Sequence, residues 1–194
     1  MSPSTGPAGI DLVARLSAVL PDARVTSSYD VVTADVERGQ WTHAVAACRD
    51  DAALDGTFFD VLLAVDEHPD GFDVVVRLWS VRARHGFHLR TRCPRSDPRV
   101  PTLTAVFAGA AWHEREAAEM FGLTFDGRPA HLPLLLPDGF DGHPLRKERV
   151  LAARMQPWPG AVDPADAGPG RPAGRRRLLP PGAPPPVPPG EPLP

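Results

Sequence analysis

The sequence predicts an α+β fold: a mainly antiparallel sheet with helices packed on one face, followed by an extended C-terminal segment. Three observations lead there. Residues 58–92 hold three strand-like runs separated by short turn signals, segments of helical periodicity stand before and after them, and beyond Gly122 the periodicity gives way to turns and then to Pro and Gly. Helices and antiparallel strands in that order bury their apolar stripes on one side of a sheet. Residues 1–150 are expected to form this domain and residues 151–194 an extended or disordered tail.

The elements follow in order. Ile10 to Leu20, "IDLVARLSAVL", places apolar residues at helical spacing until Pro21 stops the pattern. Arg24 to Val36 is rich in Val and Thr with partial alternation and reads as one strand. Gly39 to Asp51 reads as a helix with Trp41, Val45 and Cys48 on one face. Phe58–Asp66 and Phe72–Val81 are joined by "HPDG", a turn sequence between apolar runs, which predicts an antiparallel hairpin. Phe87–Arg92, after the polar "RARHG", extends the meander. Pro94 to Pro101, "PRSDPRVP", reads as a loop, and Thr102 as the N-cap of a helical stretch closed by Gly122.

From Gly122 to Lys147 an extended segment with turns is expected. It contains Phe125-Asp-Gly-Arg-Pro129 and, fifteen residues later, Phe140-Asp-Gly-His-Pro144. Asp-Gly favours a turn and the residue before Pro is pushed toward extended geometry, so both phrases encode the same bend. From Pro157 onward 14 of 38 residues are Pro and 6 are Gly, a composition that buries too little apolar surface to offset ordering entropy. Arg175-Arg176-Arg177-Leu-Leu is the one short segment there with anchoring character.

Composition narrows the function. A net charge of −3 and a pI near 6.1 supply no overall basic field for nucleic acid or anionic lipid. No window approaches the roughly 18 to 20 apolar residues of a spanning helix, and "MSPSTGPAG" has no signal-peptide pattern. The expectation is a cytoplasmic chain that meets a membrane only through a partner. Cys48 and Cys93 are the two cysteines and have no Cys-x-x-Cys spacing, so the chain is expected to bind no metal centre. Cys48, His43, His68, His85 and His88 read as core or surface residues.

Most informative is Trp112 to Phe121, "WHEREAAEMF". On a 100° wheel Ala117, Met120 and Phe121 share one side, while Trp112 lies opposite Phe121 with Glu116 and Glu119 beside it. The ordinary reading is a solvated helix with Arg115 and Glu119 at i,i+4. A metal reading would use His113 and Glu116 at i,i+3, but that design requires a second such motif on another helix. A catalytic reading, with Glu116 or Glu119 as general acid or base, has no accompanying Gly-rich loop, Ser-centred elbow or Cys–His pattern. A helix with two apolar directions and intervening charges is best satisfied between its own sheet and another protein.

"AAWHEREAAEMFGLTFDG" followed by "LLLPDGFDGHPLRKE" resembles the signature of the C subunit family of proton-translocating NADH:quinone oxidoreductase, respiratory complex I. The match includes Glu114-Arg115-Glu116, Glu119, Met120-Phe121-Gly122 and the closing Gly142-His-Pro-Leu-Arg-Lys147, and the likeness extends over about residues 57 to 150. The sequence departs from the pattern at Ala111, Gly127-Arg-Pro-Ala-His131 and Glu148, which puts contacts around Arg128 and His131 in question. The tail is similar to extended versions in some high-GC actinobacterial complexes.

The resemblance implies a structural subunit that itself binds no cofactor, within a complex that uses NADH, quinone and iron–sulfur clusters. Its partners would be the D-type subunit, near the quinone-reduction site, and neighbouring peripheral-arm subunits. It would lie at the cytoplasmic side of the bacterial cell membrane. The implied docking residues are Trp112, Glu114, Arg115, Glu116, Glu119, Phe121, Phe125, Phe140, His143, Arg146 and Lys147. Two alternatives remain open at this point: the equivalent subunit of a ferredoxin-fed or membrane-bound hydrogenase-type complex, and a free-standing interaction module that uses its Pro-rich tail as a ligand.

Overall fold

The computed structural model describes residues 11–127, 134–137, 139–140 and 142–148. The chain divides into two units between Lys147 and Glu148, and the Pro-rich tail expected over residues 151–194 lies outside the described residues. Within the first unit helix α1, Leu12–Val19, is started by Asp11, whose carboxylate accepts the N–H groups of Val13 at 3.0 Å and Ala14 at 3.1 Å. Such a cap contributes about 1 kcal/mol. Leu12 and Leu16 point into the core.

The Val- and Thr-rich stretch expected to be a single strand is two: β1, Arg24–Ser28, and β2, Val31–Asp35, paired antiparallel. Tyr29 and Asp30 between them have φ of 49° and 62°. Two successive positive φ values reverse the chain with the twist of a tight hairpin. A 3-10 turn, Arg38–Gln40, leads into helix α2, Trp41–Asp50, whose Trp41, Ala44, Val45 and Cys48 are buried.

Strands β3, Phe58–Glu67, β4, Gly71–Ser80, and β5, His85–Pro94, form the expected antiparallel meander. The predicted turn joins β3 to β4, with a cis His68–Pro69 bond and Asp70 N–H donating to the Glu67 carbonyl at 2.8 Å. The sheet order is β1-β2-β5-β4-β3, and the β2–β5 pair is parallel. Period-two alternation sends Phe72, Val74, Val76 and Leu78 of β4, with Phe87, Leu89 and Cys93 of β5, into the core. Burying a side chain of this size stabilises by about 1.5–3 kcal/mol.

The segment read as a loop before Pro101 ends in a short strand, β6, Arg99–Pro101. It pairs in parallel with β7, Thr124–Asp126. Between them runs helix α3, Ala110–Phe121. Thr102 is not its N-cap: the helix begins after Gly109, and Thr102 has another task. Gly122 does close α3, at φ 71°, with its N–H on the Ala118 carbonyl at 2.9 Å.

Candidate partner-docking site

Helix α3 is positioned by a bulge on β3. The β3–β4 register shifts between Phe59 and Val61, so that Phe59 opposite Leu78 and Leu62 opposite Val76 both face the core. Phe59 then meets Phe107, centroids 5.5 Å apart, and His113 of α3, 5.4 Å apart. The inner side of α3 carries Ala110, Glu114, Ala117 and Met120.

Glu114 is fully buried in that inner side. Its carboxylate accepts the Leu103 N–H at 2.7 Å and the Thr102 hydroxyl at 2.8 Å, binding the chain that leaves β6 to the helix that follows it. Phe125 of β7 is 2% exposed. Both were expected among the docking residues, Glu114 in an interchain or a buried intrachain ion pair; in this fold both are buried in the chain's own interior, and the Glu114 carboxylate accepts from a backbone N–H and a hydroxyl. The reason is the parallel β6–β7 pair, which brings residues 99–103 under α3.

The outer side of α3 is the stripe Trp112, Glu116, Glu119, at i, i+4 and i+7. Trp112 is 62% exposed, and the Arg115 guanidinium lies 5.2 Å from its ring centroid. Glu116 is exposed and, among the described residues, has no partner. Glu119, which helical spacing sets near Arg115, instead accepts the backbone N–H groups of Leu134 and of Leu135, the latter at 2.8 Å.

Residues 142–147 return to the end of the helix and occupy its last carbonyls. The His143 ring bonds the Glu119 carbonyl through Nδ1 at 2.8 Å, Leu145 N–H donates to the Met120 carbonyl at 3.1 Å, and Arg146 Nε donates to the Phe121 carbonyl at 2.7 Å. These are groups that a helix end leaves unpaired. The approach favours glycine at 122: its φ of 71° strains any other residue, and a Cβ there would push aside the His143 ring and the Arg146 guanidinium.

Below this strap sits Phe72, fully buried, with Arg95 4.6 Å and Arg146 5.3 Å from its ring centroid and Phe121 edge-on at 6.2 Å. Asp66, 3% exposed on β3, pairs with Arg95 and accepts the Lys147 N–H at 2.8 Å. The strap is therefore tied at both ends, to Glu119 and to Asp66. Leu135, Phe140 and Leu145 are left 60%, 41% and 53% exposed.

Of the expected docking residues, Trp112, Glu116, Phe140 and Lys147 lie at the surface, Arg115, Glu119, Phe121, His143 and Arg146 are half-buried, and Glu114 and Phe125 are internal. Arg128 and His131 lie outside the described residues; Ala111 is half-buried and Glu148 exposed. Sequence reasoning missed Asp66, Phe72, Arg95 and the exposed Leu135 and Leu145. The alternation of β3 and β4 could have flagged Asp66 as a carboxylate on the apolar face.

Elsewhere the chemistry is quiet. Cys48 and Cys93 are buried free thiols, pushed by burial up to about 12 and about 11. His85 bonds the Leu54 carbonyl through Nε2 at 2.8 Å inside the core. His88 is held below its ordinary value by burial and by Arg77, against a smaller opposing pull from Asp60. No helix among the described residues is long and apolar enough to cross a membrane.

Comparison with known proteins gives the family. The pattern described as "Respiratory-chain NADH dehydrogenase, 30 Kd subunit" matches residues 34–155. The C subunit of NADH-quinone oxidoreductase from Roseiflexus castenholzii is 37% identical over 146 residues, covering 73% of this chain and 84% of the relative. The first C-type subunit of Rhizobium meliloti NADH-quinone oxidoreductase is 38% identical over 141 residues, covering 72% and 69%. Among solved structures, a trypsin-resistant fragment of Nqo5 shares the fold with a TM-score of 0.53 at 23% identity, over 62% of this chain and 96% of that one. The membrane-bound sulfane sulfur reductase, an archaeal respiratory membrane complex, contains a chain with a TM-score of 0.56 at 22% identity, covering 66% and 76%. From the signature of α3 and its strap, the fold and these relatives, the chain belongs to the 30 kDa subunit family of respiratory-chain NADH dehydrogenase, the C-type subunits of complex I.

Proposed function

We propose that this chain is a cofactor-free structural and assembly subunit of the peripheral arm of an NADH:quinone oxidoreductase. It docks on the D-type subunit near the quinone-reduction site, through the outer stripe of α3 and the strap that caps it. The observation that carries this reading is the exposure of Trp112, Leu135, Phe140 and Leu145 on a surface held rigid by Glu119, Gly122 and Asp66. Large apolar groups fixed at a surface, with charges at their margin, suit a protein partner.

The relatives support the choice of partner. A C/D-type NADH-quinone oxidoreductase protein of Rhodopseudomonas palustris is 37% identical over 89 residues, and one of Methylococcus capsulatus is 39% identical over 107. Those stretches are 15% and 18% of the relatives' length. Joining a C portion to a D portion in one chain is productive when the two are neighbours in space.

In this role electrons pass beside the chain. It holds its neighbours in register, and the complex sits at the cytoplasmic side of the membrane. The test is co-expression with the D-type subunit: the wild-type chain copurifies with it, and Trp112→Glu, altering an exposed side chain, leaves the isolated fold intact and abolishes copurification. Equal recovery of the D-type subunit with that variant contradicts the assignment.

A further inference from the structure

We infer that the outer face of the sheet, along β3 and β4, receives one amphipathic α-helix of a neighbouring subunit, with the uncharged apolar side of that helix inward. This surface lies opposite the core, whereas α3 packs on the inner side of β3 at Phe59, so the inference does not rest on the docking reading of α3. Outward positions of a solvated antiparallel sheet are ordinarily polar. On β5 and β2 they are: His88, Arg90 and Arg92 stand beside Thr33 and Asp35. On β3 and β4 the strip is apolar, with Phe58, Val61, Leu63 and Val65 beside Val75 and Trp79. Phe58, Leu63 and Val65 are 50%, 41% and 36% exposed.

The strip has the dimensions of a helix. Phe58 pairs with Trp79 and Val65 with Asp73, and from Trp79 to Asp73 the strip runs about 20 Å, two strands or roughly 10 Å wide with side chains. An α-helix is about 10 Å across and covers about 20 Å with about 13 residues. A second sheet fits poorly, because packed face to face it would also cover β5 and β2 and bury their charges. The charges that border the strip are paired within the chain: Arg77 with Asp60 at 2.8 Å, Arg92 with Asp73 at 2.5 Å and Arg90 with Asp35 at 2.5 Å. A charge on the inward side of the arriving helix would therefore be desolvated without compensation. Arg77 also lies 5.3 Å from the Trp79 ring centroid, and that ring lies over Gly86, where a Cβ would push it aside. The cleft lined by Phe58, Asp60, Arg77 and Trp79 is thereby fixed in shape and accepts a large apolar side chain of the helix.

Benzoylphenylalanine is incorporated in place of Phe58 or of Val65 in the full chain, within the complex assembled in membranes of the source cell, and the photo-crosslinked peptides are sequenced. Thermal melting of each labelled chain is the folding control. The expected result is that both positions crosslink to one other subunit, at sites about 13 residues apart. Leu63→Asp, which alters an exposed side chain of the strip, leaves the melting of the isolated chain unchanged and lowers recovery of that subunit several-fold. Crosslinked sites about six residues apart would mean an added strand at the edge of β3, and that overturns the inference. So do crosslinks to a second copy or within the same chain, the absence of crosslinks from both positions in chains that melt normally, and undiminished recovery of the subunit with Leu63→Asp.

Discussion

The Glu114 carboxylate, fully buried on α3, accepts the backbone N–H of Leu103 at 2.7 Å. This bond and the Thr102 hydroxyl bond beside it make a charged residue part of the core, and they fix how the helix sits on the chain that precedes it. Glu114→Ala leaves the Leu103 N–H buried and unsatisfied. Denaturant unfolding of the isolated chain is expected to show a loss of about 2–4 kcal/mol, with Glu114→Gln milder because its amide oxygen still accepts from Leu103. An unchanged midpoint in Glu114→Ala contradicts the role assigned to this bond.

Gly122→Ala acts on the strap. The residue is held at φ 71°, and the added Cβ meets His143 and Arg146. A destabilisation of about 1–3 kcal/mol is expected from the backbone alone. The local signature is faster hydrogen exchange at the Leu145 amide, which donates to the Met120 carbonyl at 3.1 Å. Retained protection there would show that the strap does not depend on the glycine.

A pH effect is expected at Asp51. The Arg15 hydrogen bond holds its carboxyl below the usual range, opposed by burial and aided by the Leu54 and Ala53 N–H groups. A carboxyl depressed in the folded state contributes stability that is complete above its unfolded pKa of about 3.9 and is lost as pH falls through the folded value. Asp51→Asn should therefore lower stability at pH 7 and remove part of the acid destabilisation below about pH 4. Parallel pH–stability curves for variant and wild type would refute this.

Cys48 and Cys93 are expected to resist alkylation in the native chain. Burial raises both thiols, to about 12 and about 11, so the reactive thiolate is scarce at pH 7.5 and shielded as well. Iodoacetamide labelling should follow global unfolding in urea; rapid labelling without denaturant would contradict the packing of α2 and β5.

The legible parts of the fold are those coded locally. The His68-Pro-Asp-Gly71 turn, the Trp41–Val45–Cys48 face and the closing Gly122 each announce themselves within a few residues. The Tyr29–Asp30 turn does not, because neither residue is the glycine that usually marks two positive φ values. The β6–β7 pair joins strands of three residues each, 25 positions apart between Arg99 and Thr124, so its signal is tertiary. That same pair misled the site reading. Thr102 has the chemistry of an N-cap, and only the parallel pairing turns it toward Glu114 and places Glu114 and Phe125 inside. The outward face of α3 was legible because Trp112 opposite Phe121 is a fact of helical geometry.

The central claim is that another polypeptide covers the outer stripe of α3. Hydroxyl-radical footprinting of Trp112, in the isolated chain and in the assembled complex, tests it most directly, with buried Trp41 as the protected reference in both states. Trp112 is expected to be readily oxidised in the isolated chain and protected several-fold in the complex. Equal oxidation of Trp112 in the two states would contradict the claim.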